Sequence, residues 1–306
     1  MEKSSNMKTI IITGASGLVA RFLIRELAKN EDYRIIAVSR NREKVTELYK
    51  EKSVISIDYD NIVNYLPKSF LVHCAFTRSN DGQSVADSLD LAQKIFAKAL
   101  KYNVSAVINI SSRSVYAEPS EGCLNTEDSS LDYSSYYSVG KIVEERMTAN
   151  YFKDTNIRFT NLRLGSINEL KLDNTMVRPL NVFVNNVIKG EPIRVVGGMQ
   201  VMSYIDPRDI ATAICSLLKI SQWKSVYNVG TGWLCTKSLL EMAQLVVEKG
   251  KQLGYDEVPI VIEEKIIVKR AGLDISRITN DTGWSPRITL EEMINSLFDM
   301  MKKIIE

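Results

Sequence analysis

The strongest constraint on this chain is a junction near its start. An apolar, β-branched run at 8–13 (KTIIIT) breaks into Thr13-Gly14-Ala15-Ser16-Gly17-Leu18-Val19-Ala20 and passes at once into an amphipathic helical pattern over 18–30. A run that is apolar on both faces is the signature of a strand buried in a parallel sheet. Similar runs at 33–39, 53–57, 70–75, 106–111 and 157–164 alternate with helical patterns at 42–49, 84–102 and 135–151. Strand and helix in strict alternation imply βαβ units with right-handed crossovers, hence an α/β fold with a doubly wound parallel sheet.

After Leu164 the rhythm weakens. A polar stretch at 168–175 precedes a helix at 176–189 and turn-rich residues at 190–199. Strands at 203–205 and 225–229 are expected to rejoin the sheet, with a helix at 207–220 between them whose first turn suits Pro207. A helix at 237–249, a strand at 258–262 and a helix at 290–304 complete the chain. The expected organisation is a nucleotide-binding domain at 1–165, to which 203–230 returns, and a smaller substrate lobe from 166–202 and 231–306.

Composition excludes several classes. Lys and Arg number 39 against 37 Asp and Glu, a net charge of +2 with no basic cluster, which argues against a nucleic-acid partner. No apolar run approaches the ~18 residues of a membrane helix. The polar N-terminus lacks the order of a signal peptide. Cys74, Cys123, Cys215 and Cys235 form no CxxC pair, and the single histidine, His73, cannot build a zinc site. Free thiols in a reducing cytoplasm are the expectation.

Gly14 lets the chain turn tightly off the first strand, and Gly17 lets the backbone approach a pyrophosphate, which the following helix N-terminus attracts. Ala20, at the third glycine position, is small enough for close helix packing. The context of strand before and helix after makes this a dinucleotide turn. The second strand ends Val38-Ser39-Arg40-Asn41-Arg42, without the acid that binds the ribose of NAD. Arg40, with Ser39 and Arg42 nearby, suits a 2′-phosphate, so NADP is expected, with NAD the alternative.

Tyr137-Ser138-Val139-Gly140-Lys141 is a YxxxK, whose two functional side chains share one helix face. An ammonium beside a phenol favours the phenolate, and a tyrosine so placed exchanges protons near neutral pH. Asn109-Ile110-Ser111-Ser112-Arg113-Ser114-Val115-Tyr116 leaves the fifth strand at the sheet's carboxyl edge, where open α/β sheets bind ligands. Ser112 there can hydrogen-bond the same substrate oxygen as Tyr137.

With these motifs, HCAF (73–76), SYIDPRDIATAI (203–214), YNVGTG (227–232) and TGWSP (282–286), the chain resembles an extended short-chain dehydrogenase/reductase of the sugar-nucleotide epimerase/dehydratase type over nearly its whole length. The resemblance implies a Rossmann-type doubly wound sheet with a smaller C-terminal substrate lobe. It implies that Gly14, Ser16, Gly17, Leu18 and Val19 hold the cofactor pyrophosphate, that Asp58 and Tyr59 lie against the adenine, and that Cys74, Ala75 and Phe76 line the cofactor. Ser112, Tyr137 and Lys141 are then catalytic, with Tyr137 and Lys141 also touching the cofactor. Thr77, Arg113, Ser114 and Ser166 fall on the substrate side. The family often dimerises through the helices that are here 84–102 and 135–151, so a homodimer is expected.

The sequence also departs from the family. Dehydratases carry an Asp-Glu pair where Arg113 and Ser114 stand, so dehydration is not expected. Ser166 replaces an asparagine that helps hold the substrate diphosphate. Met202 replaces an arginine with the same task, for which Arg178, Arg194, Arg208 or Arg270 can substitute. The expected activity is NADP-dependent reduction of a keto-sugar nucleotide. The alternatives are epimerisation of a sugar nucleotide, reduction of a small aldehyde or ketone, and an NADP-sensing protein without catalysis. Three further expectations are structural: Trp223, Trp233 and Trp284 as packing anchors, Asp206 and Asp209 as helix caps, and Glu144 and Glu145 on a helix surface.

Overall fold

The computed structural model describes residues 7–51, 53–168 and 178–305. The polar stretch at 168–175 and the expected helix start at 176 fall almost wholly outside them. Strands β1 (Lys8–Thr13), β2 (Tyr33–Val38), β3 (Val54–Ile57), β4 (Phe70–His73), β5 (Ala106–Ser112) and β6 (Arg158–Leu164) join the later β10 (Val226–Val229) in one sheet of order β10-β6-β5-β4-β1-β2-β3. Every ladder in it is parallel. The unbroken apolar run of β1 is explained by burial on both sides. Ile10 and Ile12 enter the cluster under helices α1 (Leu18–Leu27) and α6 (Pro207–Leu217). Ile11 enters the opposite cluster, under α3 (Gly82–Lys101) and α4 (Tyr136–Phe152). The short α2 (Arg42–Leu48) is capped by the Asn41 side chain.

The remaining strands form two small sheets. β9 (Val201–Ile205) pairs with β7 (Ser166–Ile167) and β11 (Thr236–Ser238), and β8 (Ile193–Val196) pairs with β12 (Ile260–Glu263). The strand expected at 203–205 therefore does not rejoin the main sheet. The free edge of β6 is taken by β10, whose Val226 to Val229 register with Asn161 to Leu164. Beyond β9, helices α5 (Pro179–Lys189), α7 (Leu239–Gln252) and α9 (Leu290–Ile305) surround a separate apolar cluster containing Phe183, Met242, Leu297 and Phe298. The short α8 (Ser276–Thr282) packs beside β10. Among the described residues, no helix is long and apolar enough to cross a membrane and no group of metal-ligating side chains is assembled.

Asp206 caps α6 as its position suggests, accepting from the Arg208 backbone N–H, and its carboxylate also takes both forks of the Arg208 guanidinium at 2.8 Å. Asp209 does something else. Its buried carboxylate accepts the N–H groups of Arg287 and Ile288 at 3.0–3.2 Å, pinning the segment before α9 onto the start of α6. An orphaned buried donor costs about 1–3 kcal/mol. Asp209→Ala, which orphans two, is expected to lower the unfolding free energy by about 2–4 kcal/mol in urea titrations on that scale; a change below about 0.5 kcal/mol, the level of an ordinary surface substitution, would show the clasp to be idle.

Candidate active site

The strand order reverses between β1 and β4, and the crevice at their carboxyl ends is where a doubly wound sheet binds ligands. Gly14 turns there with φ of +66°, and a Cβ at this position would stand 3.0 Å from the backbone of Ala75. Only a glycine brings the two chain segments this close. Gly17 begins α1, no side chain caps that helix, and its first turn holds no acid. The N–H groups and positive end of α1 therefore open to the cleft, a fit for a pyrophosphate. The adjoining hollow of about 340 Å³ is lined by Ser16, Ser39, Arg40, Tyr59, Ala75 and Thr77. Tyr59 presents its hydroxyl to the Gly14 N–H at 3.2 Å. Asp58 lies further out with Arg40 and Arg42, and its carboxyl is held below the usual range by hydrogen bonds from Asn61. Thr77 belongs to this hollow, beside Ser88, and not with the residues grouped with it as substrate-facing. These residues fit a dinucleotide.

A second cavity of about 370 Å³ starts at Gly17–Val19 and is walled by Cys74, Phe76, Ser112, Arg113, Ser114, Tyr137, Lys141 and Ser166. It thus gathers the expected Ser, Tyr and Lys. Ser112 ends β5 and caps the short 3-10 turn Arg113–Val115, its Oγ accepting from the Ser114 N–H and donating to Ser114 Oγ, both at 3.2 Å. Tyr137 and Lys141 lie one turn apart on α4, whose start is fixed by a Ser135–Ser138 capping box and by Asn80 Oδ1 on the Tyr137 N–H. The Phe76 ring lies edge-on to Tyr137, with centroids 6.1 Å apart, and faces the Lys141 ammonium at 3.9 Å.

Glu144 and Glu145 are buried, contrary to the expectation of a helix surface. The sheet supplies partners that helical spacing does not reveal. Glu145 takes the Arg163 guanidinium of β6 at 2.9 and 2.7 Å and the Ser111 hydroxyl at 2.6 Å. Glu144 takes Lys141 Nζ at 2.8 Å, while the same ammonium donates to the Ile110 carbonyl at 2.7 Å. Sequence reading missed this lysine anchor, whose one signal is the i, i+3 spacing within Lys141-Ile142-Val143-Glu144. Behind it, His73 Nε2 lies 3.5 Å from Glu144 Oε1, and His73 Nδ1 is 2.8 Å from Thr13 Oγ1.

The four arginines named as diphosphate substitutes separate. Arg178, the residue before α5, lines the cavity that holds Ser112, Tyr137 and Lys141, where Met202 is also found, and so does Lys269, which sequence reading passed over. Arg270 opens on a neighbouring hollow of about 590 Å³, with Met199 and Trp233 in its wall. Arg194 points to solvent from β8, and Arg208 is engaged by Asp206. Trp284 is a packing anchor at 7% exposure; Trp233, at 58%, is not.

Burial, with the Lys141 charge adding to it, lowers the His73 pKa to about 3. The imidazole is thus neutral in the folded protein, whereas the unfolded chain binds its proton near pH 6.5. His73 contributes stability that is complete above pH 6.5 and lost as pH falls toward 3, while the raised pKa of buried Glu144 acts in the opposite sense. Because the chain has one histidine, its ring-proton NMR resonances are expected to hold constant shifts from pH 8 to 5. A titration centred near 6.5 would contradict the buried neutral ring.

Comparison with known proteins agrees with this geometry. The model of the NAD dependent epimerase/dehydratase family matches residues 10–230. The dTDP-4-dehydro-6-deoxyglucose reductase of Escherichia coli is 21% identical over 96% of this chain and 97% of its own length. The UDP-glucose 4-epimerase of Thermotoga maritima, solved with UDP-glucose, superposes with a TM-score of 0.81 at 20% identity, covering 97% of this chain and all of that one. The UDP-glucuronic acid 4-epimerase of Bacillus cereus, solved with UDP-glucuronic acid and NAD, gives 0.79 at 19% identity over 97% and 99%. With the glycine turn, the switch-point crevice and the family match coinciding, the chain belongs to the NAD dependent epimerase/dehydratase family.

Proposed function

We propose that this protein is an NAD(P)-dependent oxidoreductase that reduces a keto group on a nucleotide-linked sugar. The observation that carries the reading is the cavity of about 370 Å³ that Ser112, Tyr137 and Lys141 line together with Gly17 of the glycine turn. Its continuation past Lys269 into the hollow beside Arg270 offers room for a diphosphate and a nucleoside. A reduced nicotinamide dinucleotide held by its pyrophosphate at the glycine turn would supply the hydride. Ser112 turns its hydroxyl from Ser114 to the substrate oxygen and holds it. Tyr137 gives that oxygen its proton. Lys141, fixed by Ile110 and Glu144, keeps one N–H for the cleft, where it orients the cofactor ribose. Among the described residues no carboxylate lines the cavity, so the acid and base that water elimination requires are lacking, which supports reduction over dehydration.

The finer assignments rest on the same residues. Arg40 in the cofactor hollow, with no acid at the end of β2, supports NADP. Exposed Tyr136, Val139 and Val143 on α4, which packs beside α3, support a homodimer through these helices.

Tyr137→Phe is expected to lower kcat by about 10²–10⁴-fold, the worth of a general acid, with the dissociation constant of NADPH unchanged; near-normal turnover would end this mechanism. Stoichiometric oxidation of NADPH supports reduction, and interconversion of sugars without net oxidation assigns epimerisation instead. Arg40→Ala is expected to weaken NADPH by about 10–100-fold, the range of a charge-assisted hydrogen bond, and to leave NADH unaffected. Equal losses for both cofactors would place Arg40 away from the 2′-phosphate.

A further inference from the structure

Arg113 follows Ser112 directly, on the 3-10 turn that shapes the catalytic wall. Its guanidinium is largely spare. Nη2 reaches the Arg270 carbonyl at 3.3 Å, and the buried Nε has no partner. Burial and the nearby Arg178 both disfavour its charge; Glu118 eases it, but a Glu118 oxygen is already held at 2.6 Å by the Arg270 N–H. Arg178 forms no ion pair among the described residues and lines the same cavity, as does Lys269. Five cations, Arg78, Arg113, Lys141, Arg178 and Lys269, thus line a space into which no described carboxylate projects, and of them Lys141 is matched by Glu144. Like charges left facing one another in a partly enclosed site are unfavourable, and an anionic ligand relieves them.

A sugar diphosphate accounts for only part of this charge. Lys269 and Arg270 stand where the catalytic cavity meets the larger hollow, the place for phosphates between a sugar and a nucleoside. Arg113 leaves the turn that carries Ser112 and reaches the Arg270 carbonyl with Nη2, so its guanidinium bridges the wall beside Ser112 and that junction. A planar guanidinium with unspent donors suits a carboxylate, which it can grip by two parallel hydrogen bonds.

Resting on the nucleotide-sugar reading above, the geometry points to an acidic sugar as the substrate: a uronic-acid type whose ring carboxylate is read by Arg113, with Arg178 assisting. The carboxylate is held and not transformed.

The test compares UDP-glucuronic acid with UDP-glucose, which differ at C6, and with UDP alone, by calorimetry on the NADP-saturated protein. The wild type is expected to bind the acidic sugar at least ~10-fold more tightly than the neutral one, a modest share of a charge-assisted pair. Arg113→Gln is expected to weaken UDP-glucuronic acid by about 10–100-fold and to leave UDP-glucose and UDP within about threefold, erasing the preference. Arg178→Gln is expected to do the same in smaller measure, which guards against a folding defect in one variant. Equal wild-type affinity for the two sugars overturns the inference. So does a uniform loss for all three ligands in Arg113→Gln, which would assign the arginine to the diphosphate. Absence of binding by all three to the wild type would instead overturn the nucleotide-sugar reading itself.

Discussion

The wall that carries Ser112, Tyr137 and Lys141 depends on one buried ion pair, Arg163 with Glu145. Arg163 rises from β6 and Glu145 descends from α4, and the guanidinium meets both carboxylate oxygens. The same arginine donates to the Tyr116 hydroxyl and the Glu127 carbonyl, and Tyr116 donates in turn to Asn228 of β10. Ser111, immediately before Ser112, donates to Glu145. One clasp therefore fixes the helix bearing Tyr137 and Lys141 against the strand bearing Ser112 and ties both to the edge of the sheet. A buried pair of this kind seldom adds net stability over an apolar pair, because both charges must leave water. Its value here is register: under the proposed mechanism Ser112 and Tyr137 meet one oxygen, and a helix free to slide by a fraction of a turn would separate them.

The parts of the fold written as local pattern were legible in the sequence. β1 through β6 and α1 through α4 follow from apolar runs, helical periodicity and a glycine turn, because each run is buried on both faces by helices that the sequence places between strands. The small sheets were not legible in this way. β9 carries the same apolar alternation as a main-sheet strand, and only the occupation of the β6 edge by β10 decides against it. Such competition for an edge is a long-range fact. Asp206 illustrates what local chemistry reveals, an acid before proline at a helix start, and Asp209 what it hides: a carboxylate whose donors lie in a segment far along the chain.

The candidate site divides along the same line. Gly14, Gly17, Ser112, Tyr137 and Lys141 could be named because each sits in a short motif whose chemistry needs that residue at that spacing. Glu144 could not, because a Lys and a Glu three apart on a helix ordinarily form a solvated pair of little energetic weight. Whether that face meets water or the sheet is settled by Arg163 and His73, which come from other strands. Thr77, grouped by the sequence reading with the substrate-side residues, shows how far one position matters: Phe76 borders both hollows and Thr77 only the one beside the glycine turn.

The lysine anchor bears on how the site keeps its charges apart. Lys141 spends two of its three donors on Ile110 and Glu144 and lays its ammonium on the Phe76 face. Its charge is thereby matched locally, and His73 behind it remains neutral. Arg113, Arg178 and Lys269 have no carboxylate partner among the described residues that line the cavity. Field lines confined by low-dielectric walls would concentrate anions beside these cations. Under the proposed reading, an anionic substrate would be drawn with its charged group toward Arg113 and its reacting oxygen toward Ser112, so orientation and attraction would come from two adjacent residues of one turn.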